Sequence, residues 1–206
     1  MSAAHPANRI IDHYERHAQE WDADRQRAAW NDKIWHDIFI EKLPKAARVL
    51  DLGCGSGRPV ARHLAESGAS VTGIDSSPSM ISLCQARLPD QEWIVADMRK
   101  LALGRRFDGI LAWDSYFHLD PDDQRNMFAV FTEHALPGAM LMFNTGPNHG
   151  EAIGSYRGDP LYHASLSADE YLALIARSGF EVIEHAVNDV RAGGRTVWLC
   201  RYLRDK

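Results

Sequence analysis

A chain of 206 residues, 45% hydrophobic and 25% charged, suits a single domain with a well-buried core and excludes fibrous, disordered or disulfide-stapled classes. A net charge of −5 argues against a nucleic-acid-binding face. No apolar run approaches the ~18 residues needed to cross a bilayer, and Met1–Arg9 lacks the apolar centre of a secretion signal. Cys54, Cys84 and Cys200 are far apart, without zinc-ligand spacing. They fit reduced thiols, so a cytoplasmic protein, monomeric or homodimeric, is expected.

In chain order, Ile10, Ile11, Tyr14, Ala18 and Trp21 recur at helical spacing, as do Trp30, Ile34, Ile38 and Phe39, so two helices are expected before Pro44. From Arg48 the pattern changes to alternating strands and helices. A strand at 48–52 enters a glycine loop, then a helix from about 58 that Gly68 closes. A strand at 70–75 is followed by Ser77-Pro78, an N-cap with proline at the first helical position. Strands at 93–97 and 107–114 precede Asp120-Pro121-Asp122-Asp123, a helix start with acids where the macrodipole favours them. A fifth strand spans 139–143, and residues 145–166 read as an irregular, functional loop. Ser167-Ala-Asp-Glu170 forms a capping box, Gly179 ends that helix, and strands at 180–188 and 195–203 turn at Gly193-Gly194. The alternation predicts an α/β fold: a doubly wound, mostly parallel seven-stranded sheet with an antiparallel C-terminal hairpin. The expected division is one domain over 1–206: helices at 1–46, a ligand-binding core at 47–144, an insertion at 145–166, and a helix with hairpin at 167–206.

In such sheets ligands bind beyond the carboxyl ends of the strands. Asp51, Asp75, Asp97 and Asp114 all fall at or near those ends. Any one of them could simply cap the next helix. Four beside one glycine loop favour a ligand that carries positive charge and hydroxyls. A Gly-x-Gly-x-x-Gly dinucleotide loop fits poorly, because Arg58 or Val60 stands where its third glycine belongs.

Val-Leu-Asp-Leu-Gly-Cys-Gly-Ser-Gly at 49–57, Gly-Ile-Asp-Ser-Ser at 73–77, Val-Ala-Asp-Met at 95–98 and Phe-Asp-Gly-Ile-Leu-Ala-Trp-Asp at 107–114 together resemble the motifs of the class I S-adenosylmethionine-dependent methyltransferases, in order and spacing. The resemblance implies a Rossmann-like fold, S-adenosylmethionine as cofactor, no metal, and methyl transfer to an O, N or C atom of a small molecule. It places Asp51, Gly53 and Cys54 near the amino-acid end of the cofactor, with Gly55 and Gly57 letting the loop approach. Asp75 and Ser76 would meet the ribose, and Asp97, Met98 and Met80 the adenine. Trp113 would lie near the methionine moiety, and Tyr14 and Trp21 would close over the cofactor. His118 is the expected base, having an ordinary pKa suited to the task. Asp114, Tyr116 and Asn144 from the strand ends, with Glu151, Tyr156, Tyr162 and His163 from the insertion, make the expected acceptor pocket. A regulatory protein that binds the cofactor without catalysis shares the aspartates, and a nicotinamide-dependent oxidoreductase is the more distant alternative.

Overall fold

A computed structural model describes residues 5–204; the outermost residues of the expected N- and C-terminal segments lie outside this range. After a short 3-10 turn come α1 (Ile10–Arg16), α2 (Ala18–Arg27) and α3 (Lys33–Glu41). Three helices therefore stand where two were expected. The extra break falls at His17, whose backbone leaves helical geometry at φ −107° and ψ 16°.

The core then alternates β1 (Arg48–Leu52), α4 (Val60–Glu66), β2 (Ser70–Asp75), α5 (Pro78–Arg87), β3 (Glu92–Val95), β4 (Phe107–Ala112), α6 (Pro121–His134) and β5 (Ala135–Thr145). The helix starts follow their local chemistry. Ser77 accepts from Met80 N at 3.1 Å to open α5, and Asp120 accepts from Asp123 N at 2.8 Å to open α6, each followed by proline at the first helical position.

Residues 145–166 correct the expected irregular loop. They hold a β-hairpin, β6 (Gly150–Tyr156) and β7 (Asp159–Ser165), that forms a sheet of its own. Strand β6 is solvent-exposed along most of its length, so it carries no apolar alternation that would reveal a strand in sequence. The chain ends with α7 (Ala168–Arg177), whose Ser167 cap accepts from Glu170 N at 3.2 Å, and with β8 (Phe180–Asp189) and β9 (Arg195–Tyr202).

The main sheet has seven strands in the order β3-β2-β1-β4-β5-β9-β8, parallel except where β9 pairs antiparallel with β5 and β8. Side chains alternate across β1: Val49 joins the core with Trp35, Phe39 and Ile81, whereas Leu50 and Leu52 join Phe128, Phe131 and Phe143 on the other face. Strand order reverses between β1 and β4, which opens a crevice at their carboxyl ends. The N-terminal helices roof this crevice, and the hairpin packs against those helices.

Candidate functional site

The floor is built by the glycine loop after β1. Gly53 N and Cys54 N both donate to the Ile74 carbonyl, at 2.7 and 3.0 Å, which ties the loop to β2. Ser115 Oγ donates to Leu52 O at 2.6 Å from the other side. Gly53 is obligatory here: its φ is +77°, and an added Cβ would collide with Ser115 Cβ and Oγ.

Above this loop lies a cavity, partly open to solvent, lined by Asp51, Gly53, Cys54, Gly55, Asp75 and Ser76. Of the other expected residues, Met80, Asp97, Met98, Trp113, Asp114 and His118 stand on its walls, and Tyr14 and Trp21 reach it from the roof. Sequence reasoning missed Ile10, Ile11, Arg25, Arg58, Arg99 and Ser115, which also line it. Arg99 had a local signal, standing two residues after Asp97, but Arg25 had none.

The three strand-end carboxylates are in different electrostatic states. Asp51 is buried, and no hydrogen-bond donor among the described residues supports its charge. Burial, helped by the nearby charge of Asp75, raises its pKa to about 7. Asp75 is raised by burial in part only, because Gly55 N donates to Oδ2 and Ser77 N to Oδ1, each at 2.9 Å. Those two bonds leave two acceptor positions on the carboxylate free. Burial works against Asp97 ionising too, but Arg99 outweighs it with Nε at 2.9 Å from both carboxylate oxygens, so the pKa falls.

Beyond β4, Trp113 Nε1 donates to Asp32 Oδ2 at 2.8 Å. Asp114 adopts a left-handed backbone, φ 51°, which is uncommon for a residue other than glycine. It is fixed by Arg195, whose Nε and Nη2 donate to its two oxygens at 2.6 and 2.8 Å, and by Asn144 Nδ2 at 2.8 Å. Burial opposes the Asp114 charge, but the Arg195 contacts prevail and its pKa is lowered.

His118 differs from the freely titrating base expected. It is buried, and burial drives its pKa down to about 4. Nδ1 lies 2.8 Å from the Tyr162 carbonyl, which can only accept, so Nδ1 carries the proton and donates. Nε2 therefore accepts from the Tyr14 hydroxyl at 2.8 Å. Burial in turn raises the Tyr14 pKa, so the pair is neutral.

Several expected site residues lie elsewhere. Tyr116, Asn144, Glu151, Tyr156, Tyr162 and His163 are not among the cavity-lining residues, and neither is Gly57. Tyr116 turns into the core, where its hydroxyl donates to Gln124 O at 2.8 Å and its ring packs on Phe143. Asn144 braces Asp114 from behind. Glu151, on exposed β6, accepts from the Tyr162 hydroxyl at 2.9 Å. His163 packs against Phe117 and His118 behind the wall, Tyr156 packs on Trp21, and Gly57 faces Cys84 in α5.

The roof is held by polar contacts between distant parts of the chain. Glu15 in α1 accepts from Ser79 Oγ at 2.7 Å, and Asp22 in α2 takes both Arg87 terminal nitrogens, at 2.6 and 2.5 Å. Toward the hairpin, Asp24 accepts from the Tyr156 hydroxyl and from Arg157, each at 2.8 Å.

Residues 49–138 match the family model described as a methyltransferase domain. That stretch, somewhat under half of the chain, is thus similar to a methyltransferase domain. Among curated proteins it is similar to dTDP-3-amino-3,6-dideoxy-alpha-D-glucopyranose N,N-dimethyltransferase of Streptomyces fradiae, 36% identical over 48% of this chain and 39% of that protein. It is also similar to a malonyl-[acyl-carrier protein] O-methyltransferase of Pseudescherichia vulneris, 36% identical over 66% of this chain and 50% of that one. The chain thus spans about half the length, or less, of these curated relatives. Among solved structures, Burkholderia thailandensis 1,6-didemethyltoxoflavin-N1-methyltransferase, with its substrate and S-adenosylhomocysteine bound, superposes with a TM-score of 0.77 at 19% identity, covering 99% of this chain and 93% of that one. CalS10, an amino pentose methyltransferase of Micromonospora echinaspora bound to S-adenosylmethionine, gives a TM-score of 0.69 at 20% identity, with 89% and 95% covered. At those identities the likeness shows that the chain shares their fold. No helix among the described residues is long and apolar enough to cross a membrane.

Proposed function

We propose that this chain transfers a methyl group from S-adenosylmethionine to an O, N or C atom of a small-molecule acceptor. The observation that carries the reading is Asp51: a buried carboxylate without a donor, facing the same cavity as Asp75 and Asp97. Such a set asks for a cation near Asp51 and hydrogen-bond donors near the other two, and S-adenosylmethionine offers an ammonium group, a ribose diol and an adenine amine. Asp51 holds the ammonium. Asp75 takes the ribose hydroxyls on its two remaining acceptor positions, beside Ser76. Asp97 keeps less capacity, because Arg99 already occupies much of it, and shares the adenine with Met98 and Met80. One curated relative is named as an N,N-dimethyltransferase of a dTDP-amino sugar and another as a malonyl-[acyl-carrier protein] O-methyltransferase, which supports keeping both N and O acceptors.

When bound, S-adenosylmethionine supplies an already activated sulfonium methyl. The residues of this chain then need to position an acceptor lone pair behind that carbon and exclude water, a contribution of ~7–11 kcal/mol in favourable systems. Tyr14 and Trp21 cover the site and Trp113 and Asp114 form its far wall. Tyr14, with its hydroxyl bonded to His118 Nε2, is the group that meets the acceptor. Where the acceptor loses a proton, it reaches His118 through that hydroxyl. Residues 5–46, braced by 145–166, act as the cover over a catalytic core at 47–144, in a chain that works in the cytoplasm; residues 1–4 of the expected helical segment lie outside the described residues.

Calorimetry tests the binding assignment. S-adenosylmethionine and S-adenosylhomocysteine should both bind, and Asp75→Ala should weaken each at least about thirtyfold, the loss expected when a charged acceptor of two hydrogen bonds is removed. Unchanged affinity would overturn the assignment. Methyl transfer to a panel of amino sugars, small amines and carboxylic acids separates an enzyme from a binding protein, because only an enzyme converts the cofactor to S-adenosylhomocysteine at a rate that depends on the panel compound.

A further inference from the structure

Behind the roof, His13, His17 and Asp159 place one ligand atom each within 4.8 Å of one another, the one such trio of metal-binding side chains among the described residues. The imidazoles stand four positions apart at the end of α1, on one face of the helix, and Asp159 opens β7 across the gap. His17 Nε2 lies 2.8 Å from Asp159 Oδ2. His13 is the unusual member: it is 2% exposed, and neither ring nitrogen has a hydrogen-bond partner. A buried imidazole with both nitrogens unpaired is costly to the fold. Packing alone does not explain it, because the rings around it, Tyr14, His17 and Tyr156, offer edges and faces to His13 and none of them supplies a partner to its nitrogens.

We infer that His13, His17 and Asp159 bind a divalent cation of the zinc class, which joins the N-terminal helices to the β6–β7 hairpin. Two neutral imidazoles and one carboxylate are a donor set that zinc accepts, with water in the fourth position. Zinc holds nitrogen at ~2.0–2.1 Å, so the three ligand atoms draw inward by side-chain rotation on binding. Arg16 Nη1, now 2.6 Å from Asp159 Oδ2, is the competing cation. Its side chain is 58% exposed and can swing into solvent. Tyr14 follows His13 directly, so the cation fixes the helix from which Tyr14 reaches the cavity. The site stands on its own geometry and does not depend on the proposed methyl transfer.

The test uses the tag-free full chain after chelator treatment, with Co²⁺ as a spectroscopic probe and Zn²⁺ as competitor. Expected is one equivalent of Co²⁺ with the visible absorption of a four-coordinate ion, displaced by Zn²⁺, and a melting temperature that rises with Zn²⁺ and falls with chelator. His17→Ala, at a half-buried position, should weaken Co²⁺ binding at least tenfold, as should Asp159→Asn, which leaves every ring around His13 in place. Arg16→Ala removes the competitor and keeps all three ligands, so it should bind at least as tightly as the parent. Absence of stoichiometric binding, or binding unchanged in the double variant His17→Ala, Asp159→Asn, overturns the site. So does an Arg16→Ala loss as large as that of His17→Ala.

Discussion

The floor and the roof of the cavity are made in opposite ways. The floor is local: Asp51, Asp75 and Asp97 lie at or near the ends of three neighbouring strands, and the loop that carries Gly53 is tied to β2 by two backbone hydrogen bonds. The roof is assembled from segments well over a hundred residues apart, α1 and α2 on one side and the hairpin on the other, joined by contacts such as Tyr156 to Asp24. Floor geometry is thus dictated by backbone that the sheet core already fixes. Roof geometry rests on partly exposed charges and hydroxyls, individually worth little. A substitution in the floor should abolish the site, whereas one in the roof should loosen it.

The sharpest way to break that contrast is Gly53→Ala. The left-handed backbone and the collision with Ser115 leave no room for a methyl group, so S-adenosylmethionine affinity should fall more than about a hundredfold, beyond ~2.7 kcal/mol. A calorimetric loss of threefold or less would mean that the floor is as compliant as the roof. Next in size is Asp22→Ala, which strands Arg87, a side chain 19% exposed. Because the pair is partly solvated, the cost should be ~1–3 kcal/mol, below that of a fully buried ion pair. Chemical denaturation should show it, together with a loss of about tenfold in cofactor affinity as α2 lifts from α5.

His118 gives an effect that depends on pH. Its native pKa of about 4 lies below the ordinary ~6.5 of an unfolded histidine. Between those values the unfolded chain binds more protons, so the stability this group contributes is complete above pH ~6.5 and is lost as pH falls toward 4. His118→Gln should therefore flatten part of the acid-side decline in melting temperature. An unaltered profile would mean that the imidazole titrates normally. Smallest is Tyr156→Phe, which deletes one bond to Asp24 and should cost ~0.5–1.5 kcal/mol by denaturation, with cofactor affinity within about threefold of the parent.

The same contrast explains what the sequence revealed. The seven-stranded sheet, its antiparallel end and the Ser77, Asp120 and Ser167 helix starts were all readable, because each depends on apolar periodicity or on side chains within a few residues. The carboxylates at the strand ends were readable for the same reason. Tyr116 and Asn144 were misplaced because a residue beside a strand end can turn to either side of the sheet, and only the packed neighbours decide which. The hairpin was missed because Gly150–Tyr156 is exposed almost throughout, leaving no buried face to write an alternation. Arg25, which lines the cavity, and Arg195, which fixes Asp114, had no partner within reach along the chain. Those contacts exist only after the roof and the antiparallel end of the sheet have folded onto the core.

Asp51 carries one consequence further. A carboxylate whose pKa is raised to about 7 keeps its proton in part of the molecules near neutral pH. Bringing an ammonium group beside it lowers that value and expels the proton. Binding of the proposed cofactor is then coupled to proton release into the medium. Its measured heat will include the ionisation heat of the buffer, and its affinity will climb as pH rises through 7.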